Sequence, residues 1–377
     1  MAANESRIDV RGGVRFAASR KSGAGMRAEL TGRSVWTGAE LAAAGDWIFT
    51  LDDAQCTEID AALAGVRGKA LFGFGTADFP LPLTAPLLAA VSAELEDGRG
   101  CARLRGLPVA RYSEDDLRQI FWGIGRHLGT AVYQNATGEI MGEVRDETKR
   151  AVQSFAPTKE GRVATARARS RASGPLRWHT DRCDVIALLC VRNAASGGVS
   201  KLVSIPAIHN EMLRRRPDLL GALCGDYWRM RPSDEDGPGV ERVFAQPVFG
   251  FADGRITSQY SRTYVEQAQE VDSVPRLSAA QIAALDLLAE IAEELCLHSP
   301  FVPGDIQLLN NHVIYHGRTG YTDDEASRQD RLLLRLWLAV PDSRALPEGF
   351  DLLWGDIAPG SVRGGVVQPA TGLRVPA

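Results

Sequence analysis

Three residues of metal-binding types stand at spacings that could form a single site. His179 and Asp181 are separated by one residue, and His316 lies far downstream. Residues i and i+2 of a strand point to the same face, so one ion could contact both His179 and Asp181. Two histidines and one carboxylate can hold a metal on one side and leave its other coordination positions open, as in non-haem Fe(II) oxygenases. The residue types therefore predict a metal centre with room for small ligands.

The third metal ligand has to come from the other histidines of the chain. His127 and His209 fall in helix-like segments and His298 follows a predicted helix, so we expect these three to be structural. His312 and His316 are four residues apart on one predicted strand and would point to the same face, so both are candidates for the third ligand. A glycine follows His316, and a glycine where a strand ends lets the backbone approach a site closely.

A second cue is the last apolar strand of the sequence. Leucines occupy one face of this strand, and the other face carries Arg331, Leu333, Arg335 and Trp337. Burying a guanidinium group is costly unless an anion meets it. Two interpretations are open: an internal salt bridge, or a bidentate grip on the carboxylate of a ligand. At ~3.3 Å per residue the two arginines lie about 13 Å apart, enough to serve two different anions.

The composition is that of an ordinary globular protein, with 45% hydrophobic and 24% charged residues. A net charge of −4 and a pI near 5.9 argue against a nucleic-acid partner. No apolar run is long enough to cross a bilayer and the first residues lack a signal peptide, so we expect a cytoplasmic location. The six cysteines show no Cys-x-x-Cys spacing and are expected to be reduced thiols. Cys183, close to Asp181, is expected to fill the core, and a homo-oligomer is left open.

Changes in sequence character divide the chain into three parts. Residues 1–97 are predicted to be an N-terminal arm and a helical and strand extension packed on the core. Residues 98–345 form the main domain, and 346–377 a C-terminal extension. The Arg-rich stretch 148–174 is interpreted either as a mobile loop over a site or as a solvated insertion.

Hydrophobic periodicity predicts the elements of the main domain. Strands are predicted at 101–107, 184–191, 200–204, 306–310, 312–316 and 331–340. Helices are predicted to begin at caps near 52, 113 and 278, the last with the capping box Ser278-x-x-Gln281. Strands therefore predominate, with helices in the N-terminal third and in one late segment, which favours a helix-buttressed barrel or sandwich.

Four motifs of the chain, taken in their order along the sequence, resemble those of the taurine dioxygenase and clavaminate synthase-like (TauD/TfdA) superfamily of Fe(II)/2-oxoglutarate-dependent oxygenases. The motifs are His179-Thr180-Asp181, Gly197-Gly198-Val199-Ser200, the segment 310–319 around His316-Gly317-Arg318, and the strand 331–338. The resemblance covers roughly residues 98 to 341 and is specific as an ordered set.

The resemblance implies a mainly β fold with flanking helices, a double-stranded β-helix or jelly-roll with iron at one mouth. It implies His179, Asp181 and His316 as ligands of Fe(II). Arg331 would clamp the distal carboxylate of the co-substrate 2-oxoglutarate, and Ser200 stands where the family often places a threonine hydroxyl beside that carboxylate. The enzyme would use O2 and release succinate and CO2.

The resemblance also limits the reaction and its substrate. Halogenating relatives lack the carboxylate ligand, so Asp181 favours hydroxylation, desaturation or cyclisation. Arg335 stands where relatives direct an arginine at the prime substrate or at the co-substrate. With the Arg-rich stretch, it favours a small anionic or zwitterionic substrate such as an amino acid or sulfonate. Tyr133, Gln134 and Asn135 are candidate pocket residues, and Trp178 is expected in the core.

Two other classes of protein use the same ligand set. One is a metal-binding jelly-roll that acts as a small-acid binding module without oxygenase activity. The other is a hydrolytic or isomerising Zn or Mn enzyme, which needs no grip on a keto acid. Arg331 favours the oxygenase over both.

Overall fold

The computed structural model describes residues 10–11, 14–15, 28–147, 172–231 and 242–376. The strands are β1 (Val10–Arg11), β2 (Val14–Arg15), β3 (Ile48–Thr50), β4 (Cys101–Arg105), β5 (Thr130–Ala131), β6 (Met141–Val144), β7 (Leu176–His179), β8 (Val185–Arg192), β9 (Ser196–Gly197), β10 (Ser200–Ser204), β11 (Asp226–Met230), β12 (Val243–Pro247), β13 (Phe249–Ala252), β14 (Arg255–Ser258), β15 (Leu297–Ser299), β16 (Ile306–Asn310), β17 (Ile314–Arg318), β18 (Tyr321–Thr322) and β19 (Leu332–Ala339). The helices are α1 (Gly38–Ala44), α2 (Asp53–Val66), α3 (Ala85–Glu96), α4 (Glu114–Leu128), α5 (Ile205–Arg215), α6 (Pro217–Leu223), α7 (Arg262–Ala268), α8 (Ala279–Leu295) and α9 (Asp351–Trp354).

Two sheets form the jelly-roll that the sequence predicts. The larger sheet has the order β3-β4-β16-β8-β19-β5, with β6 also paired to β19, and the smaller has the order β15-β10-β17-β7. Side chains from both sheets, such as Ile186 and Leu333 of the larger and Leu202 of the smaller, belong to one buried cluster. The space between the sheets is therefore the place where β7, β10, β17 and β19 bring their inward side chains together.

The larger sheet is buried on both faces, as the continuous apolar run of β8 predicts. Val185 and Leu189 of β8 pack in a cluster with the helices α2, α3 and α4, whereas Ile186 and Leu188 face the smaller sheet. Leu332, Leu334, Leu336 and Leu338 lie in the helix-side cluster. Arg331 and Arg335, on the other face, are therefore turned toward the smaller sheet. A strand with alternate residues on opposite faces produces this division.

The predicted helix starts are confirmed by their caps. The side chains of Asp52, Ser113 and Ser278 each accept a hydrogen bond from the backbone three residues later, and each forms a full capping box. The predicted distribution of helices is incomplete, because α5, α6 and α7 lie between the two regions expected to be helical. The Ser204 hydroxyl caps α5 by accepting from the Ala207 amide at 3.0 Å.

The strand predicted at 312–316 is wrong at its start. β17 begins at Ile314, and His312 lies in the turn that precedes it. The Asn310 side chain accepts a hydrogen bond from the His312 amide at 2.9 Å, a local bond that favours a turn over continued sheet pairing. His312 and His316 therefore do not share one face of a strand.

The predicted division of the chain at residues 97 and 345 and the cytoplasmic location stay predictions from the sequence. Most of the Arg-rich stretch, 148–171, and most of the N-terminal arm lie outside the described residues. Across the described ranges, none of the helices combines the length and apolar character needed to span a bilayer.

A buried ion pair joins the C-terminal segment to Asp184, which directly precedes β8. Asp184 Oδ1 accepts hydrogen bonds from His312 Nε2 and Arg363 Nε, both at 2.8 Å. Burial lowers the pKa of His312 to about 4 despite the neighbouring carboxylate, so this histidine donates as a neutral ring. Burial acts to raise the pKa of Asp184, but His312 and Arg363 outweigh it and hold the pKa below its usual value. Arg363 is therefore the cation that balances the Asp184 charge.

We predict that Asp184→Ala lowers the free energy of unfolding by ~3–5 kcal/mol, because it leaves the Arg363 guanidinium buried without its carboxylate. Asp286→Ala is the matched control, since Asp286 pairs with Arg262 on the surface and its side chain is 58% exposed. The control should lose at most about 1 kcal/mol. Urea denaturation followed by tryptophan fluorescence measures both, and equal losses would contradict the predicted role of Asp184.

Candidate metal centre and co-substrate pocket

The register of the smaller sheet brings the two distant histidines side by side. β17 pairs with β7 so that His316 and His179 are direct partners, and their ring centroids lie 4.2 Å apart. On its other side β17 pairs with β10, which places Ser200 opposite Arg318. The sheet therefore has two adjacent rows of inward side chains, one with the histidines and one with Ser200 and Arg318.

Asp181 lies just beyond the end of β7 and is positioned by a hydrogen bond from a distant turn. The Asn311 side chain accepts from the Asp181 amide at 3.0 Å and donates to the Cys183 carbonyl at 3.0 Å. The two carboxylate oxygens of Asp181 lie 3.9 Å from His179 Nε2 and 3.7 Å from His316 Nε2. The potential ligand atoms of the three side chains all lie within 4.8 Å of one another.

The protonation states of the three side chains suit a divalent metal. His179 Nδ1 lies 2.9 Å from the Arg177 carbonyl, which can only accept, so Nδ1 carries the proton and Nε2 presents its lone pair. Burial, followed by a smaller effect of the neighbouring His179, lowers the pKa of His316 to about 3, and this ring is neutral near pH 7. Burial acts to raise the pKa of Asp181, but His316, Arg335 and His179 hold it below its usual value. An ionised carboxylate and two neutral imidazoles are the forms that bind metal.

A buried atom without a partner also points to a missing ligand. Within the described part of the chain, Asp181 Oδ2 is buried and has no hydrogen-bond partner. Most buried polar atoms in native proteins are hydrogen-bonded, so the bare carboxylate oxygen needs another partner. A cation between Asp181 and the two histidines would satisfy it, and the residues present therefore fit a divalent metal.

Arg331 lies at the other end of the pocket with its charge unpaired. Its side chain is buried, and its contacts are a weak hydrogen bond from Nη1 to the Val144 carbonyl at 3.4 Å and the Tyr321 ring, whose centroid is 5.3 Å from Cζ. None of the described carboxylates forms an ion pair with it. Burial, with a smaller effect of Arg318, lowers the pKa of Arg331 to about 10, so it remains a cation at neutral pH. Such a group is expected to bind an anion.

Ser200 and Arg335 are each held by a neighbouring amide side chain. The Ser200 hydroxyl accepts from Gln307 Nε2 at 3.0 Å and keeps its own proton to donate. Arg335 Nε donates to Gln134 Oε1 at 2.7 Å, and Gln134 Nε2 donates to the Arg335 and Ile140 carbonyls, both at 2.9 Å. Gln134, a candidate pocket residue in the sequence, thus fixes the orientation of Arg335 with a neutral group.

The structure brings all six predicted site residues to one cavity between the sheets. The cavity encloses about 480 Å³ of empty space, including its opening to solvent. Its lining residues are Val144, Leu176, His179, Asp181, Ile186, Leu188, Ser200, Phe301, His316, Gly317, Arg318, Arg331, Leu333 and Arg335. The walls of the cavity away from the polar groups are apolar, as is usual for small-molecule sites.

Sequence reasoning missed Arg318 and Asn311, although a signal existed for the first. Arg318 follows His316 by two positions, so the alternation rule used for His179 and Asp181 also predicts that it faces the site. Asn311 acts through a turn whose partner is far away in the sequence, and no local pattern predicts that bond.

The other candidate residues lie outside the site. Trp178 belongs to the core cluster and donates from its indole to Glu293 at 2.9 Å, as its predicted core role requires. Cys183 is buried. Glu293, Cys296 and His298 form a second metal-sized cluster, but it lies near the surface and Glu293 is already paired with a lysine.

Fold and site together define a class of protein. The jelly-roll holds two histidines and one carboxylate at one end of the cavity and a buried arginine at the other end. This combination is typical of non-haem Fe(II) oxygenases that use a keto-acid co-substrate.

Comparisons with known proteins agree with this class. The family described as "Taurine catabolism dioxygenase TauD, TfdA family" matches residues 65–337. FR-33289 synthase of Streptomyces rubellomurinus is 31% identical over 340 residues, which are 88% of this chain and 96% of that protein. The taurine hydroxylase-like protein SAT17 of Stachybotrys chartarum is 30% identical over 320 residues, 82% of this chain and 80% of that protein.

Solved structures share the fold at low sequence identity. Asparagine oxygenase in complex with Fe(II), 2S,3S-3-hydroxyasparagine and succinate aligns with a TM-score of 0.58 and 16% identity, over 78% of this chain and 93% of that chain. The non-heme iron oxygenase OrfP with Fe, succinate and (3S)-hydroxy-L-Arg aligns with a TM-score of 0.56 and 14% identity, over 77% and 94% of the two chains.

The chain belongs to the TauD/TfdA dioxygenase family. It is an Fe(II)- and 2-oxoglutarate-dependent oxygenase that acts on a small molecule, as the sequence predicts. The rival classes, a binding module and a hydrolytic metalloenzyme, are not favoured by this membership.

The geometry predicts which histidine completes the metal centre. His316→Ala should weaken Co(II) binding by more than about 100-fold, because even residues behind the ligands typically contribute 10- to 100-fold. His312→Gln, which keeps a donor for Asp184, should bind Co(II) within about tenfold of the wild type. Visible absorption of the Co(II) protein measures both affinities. Retained binding in His316→Ala together with loss in His312→Gln would reverse our choice of ligand.

Proposed function

We propose that His179, Asp181 and His316 bind Fe(II) at one end of the cavity. Arg331 and Ser200 bind the distal carboxylate of 2-oxoglutarate at the other end. The enzyme then hydroxylates a small amino-acid-like substrate.

The excess of positive charge in the cavity carries this proposal. Three arginines line it, and Asp181 is the single carboxylate among its lining residues. Fe(II) would add two further positive charges, and 2-oxoglutarate would bring two negative ones. An anionic group on the substrate would compensate one of the arginines locally, since an uncompensated buried charge is costly.

Arg335 is positioned to receive that anionic group. Its Nε is occupied by Gln134, and it lies close enough to Asp181 to lower the pKa of the carboxylate. It therefore stands at the metal end of the cavity, where the substrate must be oxidised. An arginine held by a neutral amide keeps its full charge for a carboxylate or sulfonate, and its planar fork can make a bidentate contact.

Bound iron with 2-oxoglutarate and O2 supplies the oxidising power, and succinate and CO2 are released. The protein positions the reactants, stabilises their charges and keeps water away from them. His179 and His316 occupy one side of the centre as neutral ligands, and Asp181 completes the set. Leu188, Phe301 and Leu333 line the cavity with apolar surface and exclude water from the reacting groups.

The names of the relatives support an amino-acid or sulfonate substrate. Asparagine oxygenase and OrfP are described with hydroxylated asparagine and hydroxylated arginine, and another relative is described as taurine hydroxylase-like. The two amino acids carry a carboxylate, and taurine carries a sulfonate. The same chemical class suits the charge of the cavity.

The proposal is tested by substrate-stimulated succinate formation from 2-oxoglutarate under Fe(II) and O2. We expect amino acids or aminosulfonates to stimulate turnover, and the amide of the best substrate, which lacks the negative charge, to fail. Arg335→Gln should raise the KM for that substrate by ~30-fold or more, consistent with ~2 kcal/mol for one buried charge partner. Stimulation by neutral compounds alone, or an unchanged KM in Arg335→Gln, would contradict the substrate class.

A separate prediction concerns the co-substrate end of the cavity. Arg331→Ala should raise the Kd of 2-oxoglutarate for the Co(II)-loaded protein by roughly 30-fold or more, because it removes a buried cation worth ~2–5 kcal/mol. Arg192→Ala is the control, since Arg192 is already paired with Glu114 and Asp330. Anaerobic isothermal titration calorimetry measures both. Normal 2-oxoglutarate binding in Arg331→Ala would refute the assigned role.

A further inference from the structure

We propose that Arg318 is a second cation for the distal carboxylate of 2-oxoglutarate and, with Arg331, selects a dicarboxylic keto acid over a monocarboxylic one. This inference rests on the proposed function, because it adds a residue to the same co-substrate site.

The position of Arg318 in the sheet places it at the correct distance from the metal. It lies two residues beyond His316 on β17 and is the direct partner of Ser200 on β10. Two residues of a strand span about 6.6 Å, roughly the length over which a five-carbon keto acid extends from its chelating end to its distal carboxylate. The row of Ser200 and Arg318 is therefore at the level of the distal carboxylate, and the row of the histidines is at the level of the metal.

Arg318 and Arg331 approach the same point from opposite sheets. Both guanidinium groups lie against the Tyr321 ring, whose centroid is 4.6 Å from Arg318 Cζ and 5.3 Å from Arg331 Cζ. Gly198 leaves room for Arg331, since a Cβ at that position would be 3.1 Å from Arg331 Nε. The Tyr321 hydroxyl is buried and has no hydrogen-bond partner among the described residues.

The guanidinium of Arg318 is only partly satisfied. Its Nη2 donates to the carbonyls of Ala172 and Gly174 at 2.7 and 2.6 Å. Its Nε and Nη1 are buried, and neither has a partner within the part of the chain that the structure describes. Like Arg331, it forms no ion pair with any described carboxylate. Buried, charged donors without acceptors are rare in native proteins and are accounted for by a ligand that fills them.

A single carboxylate placed between the two arginines would give both guanidinium groups an acceptor and a counter-charge. Its two oxygens can accept from the free donors of Arg318 and Arg331, and they would separate two cations that otherwise repel each other. Charge-assisted bonds of this type are stronger than neutral ones. The alternative role for Arg318 is purely structural, as the anchor of the chain at Ala172 and Gly174.

The test compares two keto acids on the Co(II)-loaded protein by anaerobic calorimetry. 2-Oxoglutarate has the distal carboxylate, and 2-oxovalerate has the same carbon chain without it. In Arg318→Gln we expect the affinity for 2-oxoglutarate to fall by about tenfold or more, which corresponds to ~1.4 kcal/mol. The affinity for 2-oxovalerate should stay within about twofold. Arg318→Lys, which restores the charge, should recover part of the preference.

Each other outcome decides against the inference. Equal losses for both keto acids in Arg318→Gln would show a structural role, and no loss for either would show that Arg318 does not contact the co-substrate. Arg192→Gln, in which the removed charge was already paired, should leave both affinities unchanged. If Arg318→Gln does not fold, as judged by its thermal transition, Arg318→Lys decides: a charge in altered geometry should still favour 2-oxoglutarate, but less than the wild type does.

The same measurements separate this inference from the proposed function. If Arg331→Ala loses the preference for 2-oxoglutarate and Arg318→Gln keeps it, only the role of Arg318 fails. If the wild-type protein shows no preference between the two keto acids, the co-substrate site itself is wrongly placed.

Discussion

The cavity between the two sheets carries more positive charge than its own residues neutralise, and the rest of the site is arranged around that excess. The three arginines are held by neutral acceptors: the Gln134 amide for Arg335, the Val144 carbonyl for Arg331, and two backbone carbonyls for Arg318. A carboxylate partner would have fixed each side chain equally well but would have cancelled its charge. Neutral acceptors fix the geometry and keep the charge for a ligand.

The same cavity depends on a second set of contacts behind the proposed metal centre. Asp181 stands outside a strand, so its direction is fixed by Asn311 and by the residues that follow it. Arg182 donates to the Leu353 carbonyl at 2.9 Å, and the Gly365 amide donates to the Arg182 carbonyl at 2.6 Å. With the Asp184 ion pair, these bonds connect the C-terminal segment to the backbone of the metal-binding motif. The last part of the chain is thereby part of the support for the site.

The alternation of strand residues made much of this predictable. It identified the arginine face of β19, and applied once more it would have identified Arg318. His179 and Asp181 meet at one site as expected, but β7 ends at His179 and Asp181 lies beyond the strand. The alternation misled at His312, because the Asn310 side chain bonds to the backbone there and makes a turn where the pattern indicated a strand. The contacts of Asn311 with Asp181 and of Gln134 with Arg335 join residues far apart in the sequence. Such bonds depend on the packed fold, and no local pattern encodes them.

The central claim is that one metal ion is held by His179, Asp181 and His316 with the keto acid beside it. Anomalous diffraction at the iron edge, from crystals grown without O2 in Fe(II) and 2-oxoglutarate, tests it most directly. The account predicts a single strong peak among the three side chains, with co-substrate density extending from it toward Arg331. A peak at His312 or at the cluster of Glu293, Cys296 and His298, with none between His179 and His316, would contradict it.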